Sequence, residues 1–240
     1  MKARITFSIL ALLLLNSCIV KSLFPFYTKD TIHFEKAFLG IWNDEKETNS
    51  KWMIFSLNEI ALKEKKKDST QTGDDKIQKE YKDGYYVVYS EKNTKSLFLA
   101  MPFKINNQLF LDFTPLYYDT DNMLIDYHLV PAHSLVKFDI INDNTVNIKW
   151  LSSKKIGNLI DQNKIKIKHE RFGTEKDNYL LTASSEELQK FIKKYMSSKD
   201  NEKWKTDVQF NLKKEDSTEE YQKLIEAIVN GDFFDKIPTN

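Results

Sequence analysis

Short runs of aromatic and aliphatic residues recur along the middle of the chain and limit it to a sheet of short strands. The runs are Trp52–Leu57, Tyr85–Tyr89, Leu97–Phe103, Leu109–Phe113, Met123–Val130 and Leu135–Ile141. Apolar residues then alternate with polar ones in Val146–Trp150 and again in Ile165–Ile167. This alternation is typical of antiparallel strands with one buried and one hydrated face. Asn106 and Asn107 fit a hairpin turn, because Asn tolerates the left-handed conformation.

The sequence pattern toward the C-terminus predicts helices. Apolar residues recur at helical spacing from Ser184 to Met196, and Ser184 with Glu187 forms a capping box. The same design follows Ser217 and ends at Gly231, and a shorter helix is expected around Lys154–Gln162. We therefore predict an α+β fold, in which two or three late α-helices pack on a curved antiparallel β-sheet or partly closed barrel.

Composition excludes several classes of protein. The 36 basic and 35 acidic residues give a net charge of +1, without the basic excess of a nucleic-acid binder, so no nucleic-acid partner is expected. The six glycines lie too far apart for a phosphate-binding loop or a nucleophile elbow. The single cysteine excludes a disulfide framework and a thiolate metal site.

The sequence of the N-terminus indicates a targeting signal. Lys2 and Arg4 precede an apolar run, Ile5–Leu15, which is shorter than the ~20 residues that span a bilayer. The run ends in Leu15-Asn16-Ser17-Cys18, which resembles the lipobox of bacterial lipoproteins. That resemblance implies cleavage before Cys18 and attachment of acyl chains to its thiol, which anchors the protein to a membrane. A plain secretory signal and an N-terminal transmembrane anchor are the alternatives.

We accordingly divide the chain into four parts. Residues 1–17 are a signal peptide that is removed, and residues 18–30 are a lipidated tether. Residues 31–198 form a β-rich domain that includes a helix over 184–197, and residues 199–240 form a C-terminal helical extension packed on it. The charged segment Lys63–Gly84 is interpreted as a solvated hairpin extension, with a docking tail as the alternative.

Four stretches resemble an uncharacterised family of bacterial envelope lipoproteins. They are Phe38–Trp42, Leu109–Pro115, Leu129–Ser134 and Leu180–Gln189, and the resemblance extends from about Phe24 to Tyr195. It implies an envelope location and one domain, but no activity. We expect the periplasmic face, and the outer membrane rather than the inner. The Leu-Gly-x-Trp element also resembles the first strand of lipocalin-like barrels, which implies that Trp42 plugs one end and Gly40 lets the chain turn in closely.

Four polar residues are candidates for a site, namely His133, Asp112, His128 and Asp126. On one continuous strand, residues five apart face opposite sides, so a metal shared by the two histidines would need a bend at Pro131. Zinc requires three or four converging ligands, and the spacing does not establish three. The alternative is that His133 only hydrogen-bonds backbone at a strand corner. No catalytic, cofactor-binding or metal-binding residue is therefore selected.

Aromatic residues make up 13% of the chain and suggest a different kind of site. Those concentrated in the strand region are Tyr85, Tyr86, Tyr89, Phe113, Tyr117 and Tyr118. They would either line a groove for sugars or acyl chains or fill the core of a sheet. The leading prediction is a non-catalytic binding or assembly module at the membrane surface, meeting an envelope protein partner or a small apolar ligand. A lipocalin-like carrier and a hydrolase with an unrecognised site are the alternatives.

Overall fold

The computed structural model describes residues 19–47, 49–67, 79–92, 94–118, 129–174, 176 and 178–233. The strands are β1 (Lys21–Ser22), β2 (Gly40–Asp44), β3 (Ser50–Ser56), β4 (Tyr85–Glu91), β5 (Thr94–Ile105), β6 (Gln108–Tyr118), β7 (His133–Asn142), β8 (Thr145–Trp150), β9 (His169–Phe172), β10 (Asn178–Leu181) and β11 (Gln209–Lys214). The helices are α1 (Leu57–Lys67), α2 (Ser153–Asp161), α3 (Ser185–Met196) and α4 (Thr218–Asn230), with 3-10 turns at Lys29–Thr31 and Lys36–Phe38.

Eight of these strands close into an antiparallel barrel. Strands β2 to β8 pair with their neighbours in chain order, β11 joins β8 to β2, and β6 pairs with β7. The turn between β5 and β6 contains Asn106 and Asn107, both at positive φ as predicted. Because strand direction alternates, β2, β4, β6 and β8 all end at one end of the barrel, which we call the upper end. The opposite end, at Gly40, is the lower end.

The remaining elements cover the outside of the barrel. Strand β1 pairs with the start of β7 and also with β10, which pairs with β9, so β1 joins the β9–β10 hairpin to the barrel. Helices α2 and α3 enclose a second core beside this hairpin, and α1 and α4 enclose a third against β3 and β4. The capping box of α3 is confirmed, since Ser184 and Glu187 hydrogen-bond each other's backbone amides.

Several predicted segments differ from the structure. The helical extension over 199–240 contains β11, a strand of the barrel, and Ser217 caps α4 without a side-chain hydrogen bond. Residues 165–167 belong to no strand. Residues Lys63–Lys67 are helical, rather than part of a hairpin. The predicted tether over 18–30 contributes β1 and the buried side chain of Val20 to the fold.

Other predictions fall outside the described residues. These are the signal peptide, Cys18 and the segment 119–128, which includes most of Met123–Val130. Within the described part of the chain, no helix combines the length and apolar character needed to cross a bilayer.

Candidate functional site

The lower end of the barrel is sealed by aromatic rings. Phe38 lies on the 3-10 turn before β2, and its ring centroid is 4.8 Å from that of Phe138 and 5.3 Å from that of Tyr85. Trp42 follows on β2 and is fully buried, and its indole N–H donates to the Phe38 carbonyl at 2.9 Å. The Tyr85 hydroxyl holds the turn in place, since it donates to the Glu35 carbonyl and accepts from the Glu35 amide, both at 2.7 Å.

A close approach between β2 and β11 completes this seal. The Lys214 ammonium lies 5.1 Å from the centroid of the Trp42 ring, within the range of a cation–π contact. Gly40 has a φ of +131°, and a Cβ there would lie 2.8 Å from Lys214 Cε. Only glycine therefore lets the lysine stem cross the strand at this point. Burial lowers the pKa of Lys214 from its ordinary value, because the charged form loses solvent.

The upper half of the barrel holds a second group of rings, which we call the aromatic cup. Its members come from six strands and are Trp52, Tyr89, Phe98, Phe113, Trp150 and Phe210. The Trp52 ring centroid lies 4.6 Å from that of Tyr89 and 5.0 Å from that of Phe210. Trp52 and Phe113 are buried, whereas Tyr89, Phe98 and Phe210 are partly exposed. Among the described residues, the cup is therefore closed below and open above.

Three of the four tryptophans have a partner for the indole N–H, and the fourth lies in the cup. Trp42 donates to a carbonyl, Trp150 donates to the Ser134 hydroxyl at 3.2 Å, and Trp204 lies 3.1 Å from the Met196 sulfur. Trp52 is only 3% exposed, yet its Nε1 has no hydrogen-bond partner in the described structure. A buried polar group without a partner costs about 1–3 kcal/mol, so this N–H needs an acceptor that the described residues do not supply.

Polar groups line the rim of the cup. The Tyr89 hydroxyl donates to the Glu91 carboxylate at 3.0 Å, and burial together with this bond raises the pKa of Tyr89 well above its ordinary value. Asp44 is buried at the end of β2, where it accepts hydrogen bonds from the amides of Asn211 and Glu47. These bonds fix the β2–β3 turn and the start of β11 around the opening.

The polar site predicted from the sequence lies on the outer face of the barrel, away from the cup. His133 Nδ1 and Asp112 Oδ1 are 2.7 Å apart, and Asp112 is 1% exposed. The other oxygen of Asp112 accepts from the Phe26 amide at 2.7 Å, so it helps to hold the N-terminal segment against β6. The other two candidates, Asp126 and His128, lie outside the described residues.

This polar pair is not arranged for nucleophilic catalysis. The Thr114 hydroxyl lies 3.0 Å from His133 Nδ1, the same nitrogen that contacts Asp112. A hydroxyl–histidine–carboxylate relay needs the hydroxyl and the carboxylate on opposite ring nitrogens. The described residues also contain no group of three His, Cys, Asp or Glu side chains that could hold a metal ion.

Only part of the cup was predicted from the sequence. Tyr89 and Phe113 lie in it and Tyr85 lies in the seal, but Tyr86 points outward toward Phe233, and the side chains of Tyr117 and Tyr118 are outside the described set. The four omissions are Trp52, Phe98, Trp150 and Phe210. Alternation in the strands of Trp150 and Phe210 indicates an inward side chain without identifying the rings opposite it. Trp52 lies in a continuous apolar run, which does not indicate a face of the strand.

No protein-family model, curated protein sequence or solved structure matches the chain.

Proposed function

We propose that the protein is a non-catalytic binding module whose barrel receives one small planar apolar ligand in the aromatic cup. The observation that carries this proposal is the unpartnered Trp52 N–H, buried among aromatic rings that are partly exposed above. Aromatic walls with one directed polar group are typical of small-molecule sites. Because the lower half of the barrel is filled by side chains, we propose that the ligand binds in the upper half and carries a hydrogen-bond acceptor for Trp52.

The architecture supports a lipocalin-like carrier. An eight-stranded antiparallel barrel paired in chain order can hold one small ligand in its interior. Gly40 and Trp42 at the lower end fit the roles that the Leu-Gly-x-Trp resemblance implies for a sealed end, and Lys214 packs against both of them. The hydrolase alternative has less support, because the Asp112–His133 pair lacks a relay geometry and lies outside the cup.

A matched pair of probes tests the proposed contact with Trp52. 2-Acetonaphthone carries a carbonyl acceptor, and 2-ethylnaphthalene has a similar shape without one. We expect the ketone to bind more tightly, by about threefold to tenfold, because one hydrogen bond contributes about 0.5–1.5 kcal/mol. Binding is measured by quenching of tryptophan fluorescence.

Two variants complete this experiment. Trp52→Phe keeps an aromatic ring but removes the N–H, so it should bind both probes equally. Trp204→Phe is the control, because Trp204 packs in the second core, outside the barrel, and should preserve the preference for the ketone. Equal binding of ketone and hydrocarbon by the unmodified protein would contradict the proposed contact.

We further propose that acyl chains on Cys18 hold this module at the envelope membrane. Two or three chains supply enough apolar burial for stable anchoring, whereas one chain alone is marginal. Cys18→Ala should abolish incorporation of a radiolabelled fatty acid and leave an uncleaved precursor. Incorporation that continued in this variant would refute the anchor.

A further inference from the structure

A groove of about 700 Å³ lies outside the barrel, between α3 and the segment 163–168. Its floor is apolar and belongs to the second core. Ala183 and Tyr195 in it are almost fully buried, and the partly buried side chains of Leu159, Ile165, Ile167 and Phe191 complete it. The volume falls within the range of about 300–1,000 Å³ that is usual for sites of single small molecules.

The walls of this groove are strongly basic. Five of the residues that line it are lysines, and only Glu187 and Asp200 are acidic. Glu187 pairs with Lys168 at 3.4 Å, and Asp200 pairs with Lys155 at 2.8 Å. Among the described residues, the four other lysines form no ion pair within 4.0 Å; they are Lys164, Lys166, Lys190 and Lys194. A molecule whose net charge is +1 therefore concentrates an excess of positive charge at one apolar groove.

From this geometry we infer that the groove is a second binding site, and that its ligand is a single-chain anionic amphiphile such as a long-chain carboxylate. The apolar floor accommodates the chain. The lysines stand on both walls, two on α3 and two on the facing segment, and bind the head group at the surface. Lysine is suited to this position, because its apolar stem covers the floor while its ammonium stays in water.

Two amphiphiles of equal chain length and opposite charge test the inference. The full chain is labelled with 15N and titrated with dodecanoate or with dodecyltrimethylammonium, below their micellar concentrations. We expect dodecanoate to bind at one site, to shift the amide signals of Ala183 and Phe191, and to weaken as salt is added. We expect no saturable binding of the cation. Equal binding of both probes, or shifts confined to the aromatic cup, would overturn the inference.

Charge-reversed variants identify the lysines that bind the head group. K166E/K194E reverses one lysine on each wall and should weaken dodecanoate binding by at least tenfold. K193E/K199E makes the same change in net charge at exposed lysines outside the groove, one of them in the same last turn of α3, and should keep the affinity within twofold. Equal affinity in the two variants would show that the groove lysines do not bind the head group.

Discussion

Gly40 shows how a single residue fixes the lower end of the barrel. Its φ of +131° is a conformation that other residues rarely adopt, and an added Cβ would meet Lys214 Cε at 2.8 Å. We expect Gly40→Ala to lower the free energy of unfolding by about 2–4 kcal/mol, from backbone strain and overpacking together. The measurement is the midpoint of urea unfolding.

A second glycine separates the two contributions. Gly231 ends α4 at a φ of +80°, and a Cβ there would meet no atom of the described residues within 4 Å. Gly231→Ala should therefore cost only the left-handed conformation, about 1–2 kcal/mol. In addition, Lys214→Ala should partly offset the loss in Gly40→Ala, because it removes the opposing atom. Strictly additive losses in this double variant would show that the close contact is not the cause.

Tyr85 links the stability of the seal to alkaline pH. It is fully buried, and burial raises the pKa of Tyr85 well above its ordinary value of about 10. Below pH 10 the phenol is protonated in both the folded and the unfolded chain, so it adds no pH dependence. Above pH 10 it ionises only in the unfolded chain, and stability falls by up to about 1.4 kcal/mol per pH unit.

Tyr85→Phe lacks this ionisation, and it also lacks both hydrogen bonds to Glu35. At pH 7 we expect the variant to be less stable by about 1–3 kcal/mol, because the Glu35 amide loses its acceptor. The gap from the unmodified protein should narrow by about 1 kcal/mol between pH 9.5 and 11. Other tyrosines titrate in both proteins and cancel in this comparison. A gap that stays constant in urea unfolding over this range would contradict the assignment.

Among the elements, β1 contributes more to the stability of the fold than its length of two residues suggests. It is the strand that links the β9–β10 hairpin to β7, and Val20 just before it is 2% exposed. A chain that begins at Leu23 should therefore be less stable than one that begins at Ile19, by about 3 kcal/mol. Hydrogen exchange should also quicken at the amides of Tyr179–Leu181. Equal stability of the two chains would mean that the N-terminal segment only lies on the barrel.

The sequence predicts elements that have local signals and misses those that depend on distant partners. Helix α3 was predicted in full, because its capping box and apolar stripe are local signals. Strand β11 was missed, because Gln209–Lys214 has only two apolar residues, Phe210 and Leu212, and its partners β2 and β8 are distant in sequence. Ile165 and Ile167 do face a core as their alternation predicted, but alternation reports the face of a chain and not its hydrogen bonds.

For the whole molecule, the antiparallel character was predictable and the closure was not. Closure depends on the pairing of β6 with β7 and on the return of β11 to β2, and no local pattern encodes either partner. The location of the cup was not predictable for the same reason. Trp52, Trp150 and Phe210 are at least 60 residues apart in the sequence, and only the closed barrel brings their rings within about 6 Å of one another.

The barrel also has a definite direction relative to the N-terminus. Ile19 bridges to Ser152 and Ser22 pairs with His133, both at the upper end where the cup opens. Exposed apolar side chains lie near the same end, including Leu23, Phe24 and Val130. The residue before Ile19 is Cys18, so lipid attached there would leave no linker between the membrane and this end. The proposed anchor therefore implies that the cup opens close to the bilayer surface.

Two single labels test this orientation. Phe24→Cys lies near the upper end, and Ile141→Cys lies near the far end of β7, about 30 Å away for ten residues of strand. Both side chains are exposed, at 47% and 62%, and the only native cysteine is the proposed lipid site.

When lipidated protein carrying a fluorophore is bound to vesicles, iodide should quench the label at 141 freely and the label at 24 weakly. The same labels on chains that begin at Ile19, which lack both the signal peptide and Cys18, should be quenched alike at both positions, because nothing then holds the upper end against lipid. Equal quenching in the vesicle-bound form would place the cup away from the membrane, and its ligand would then have to arrive from the aqueous phase.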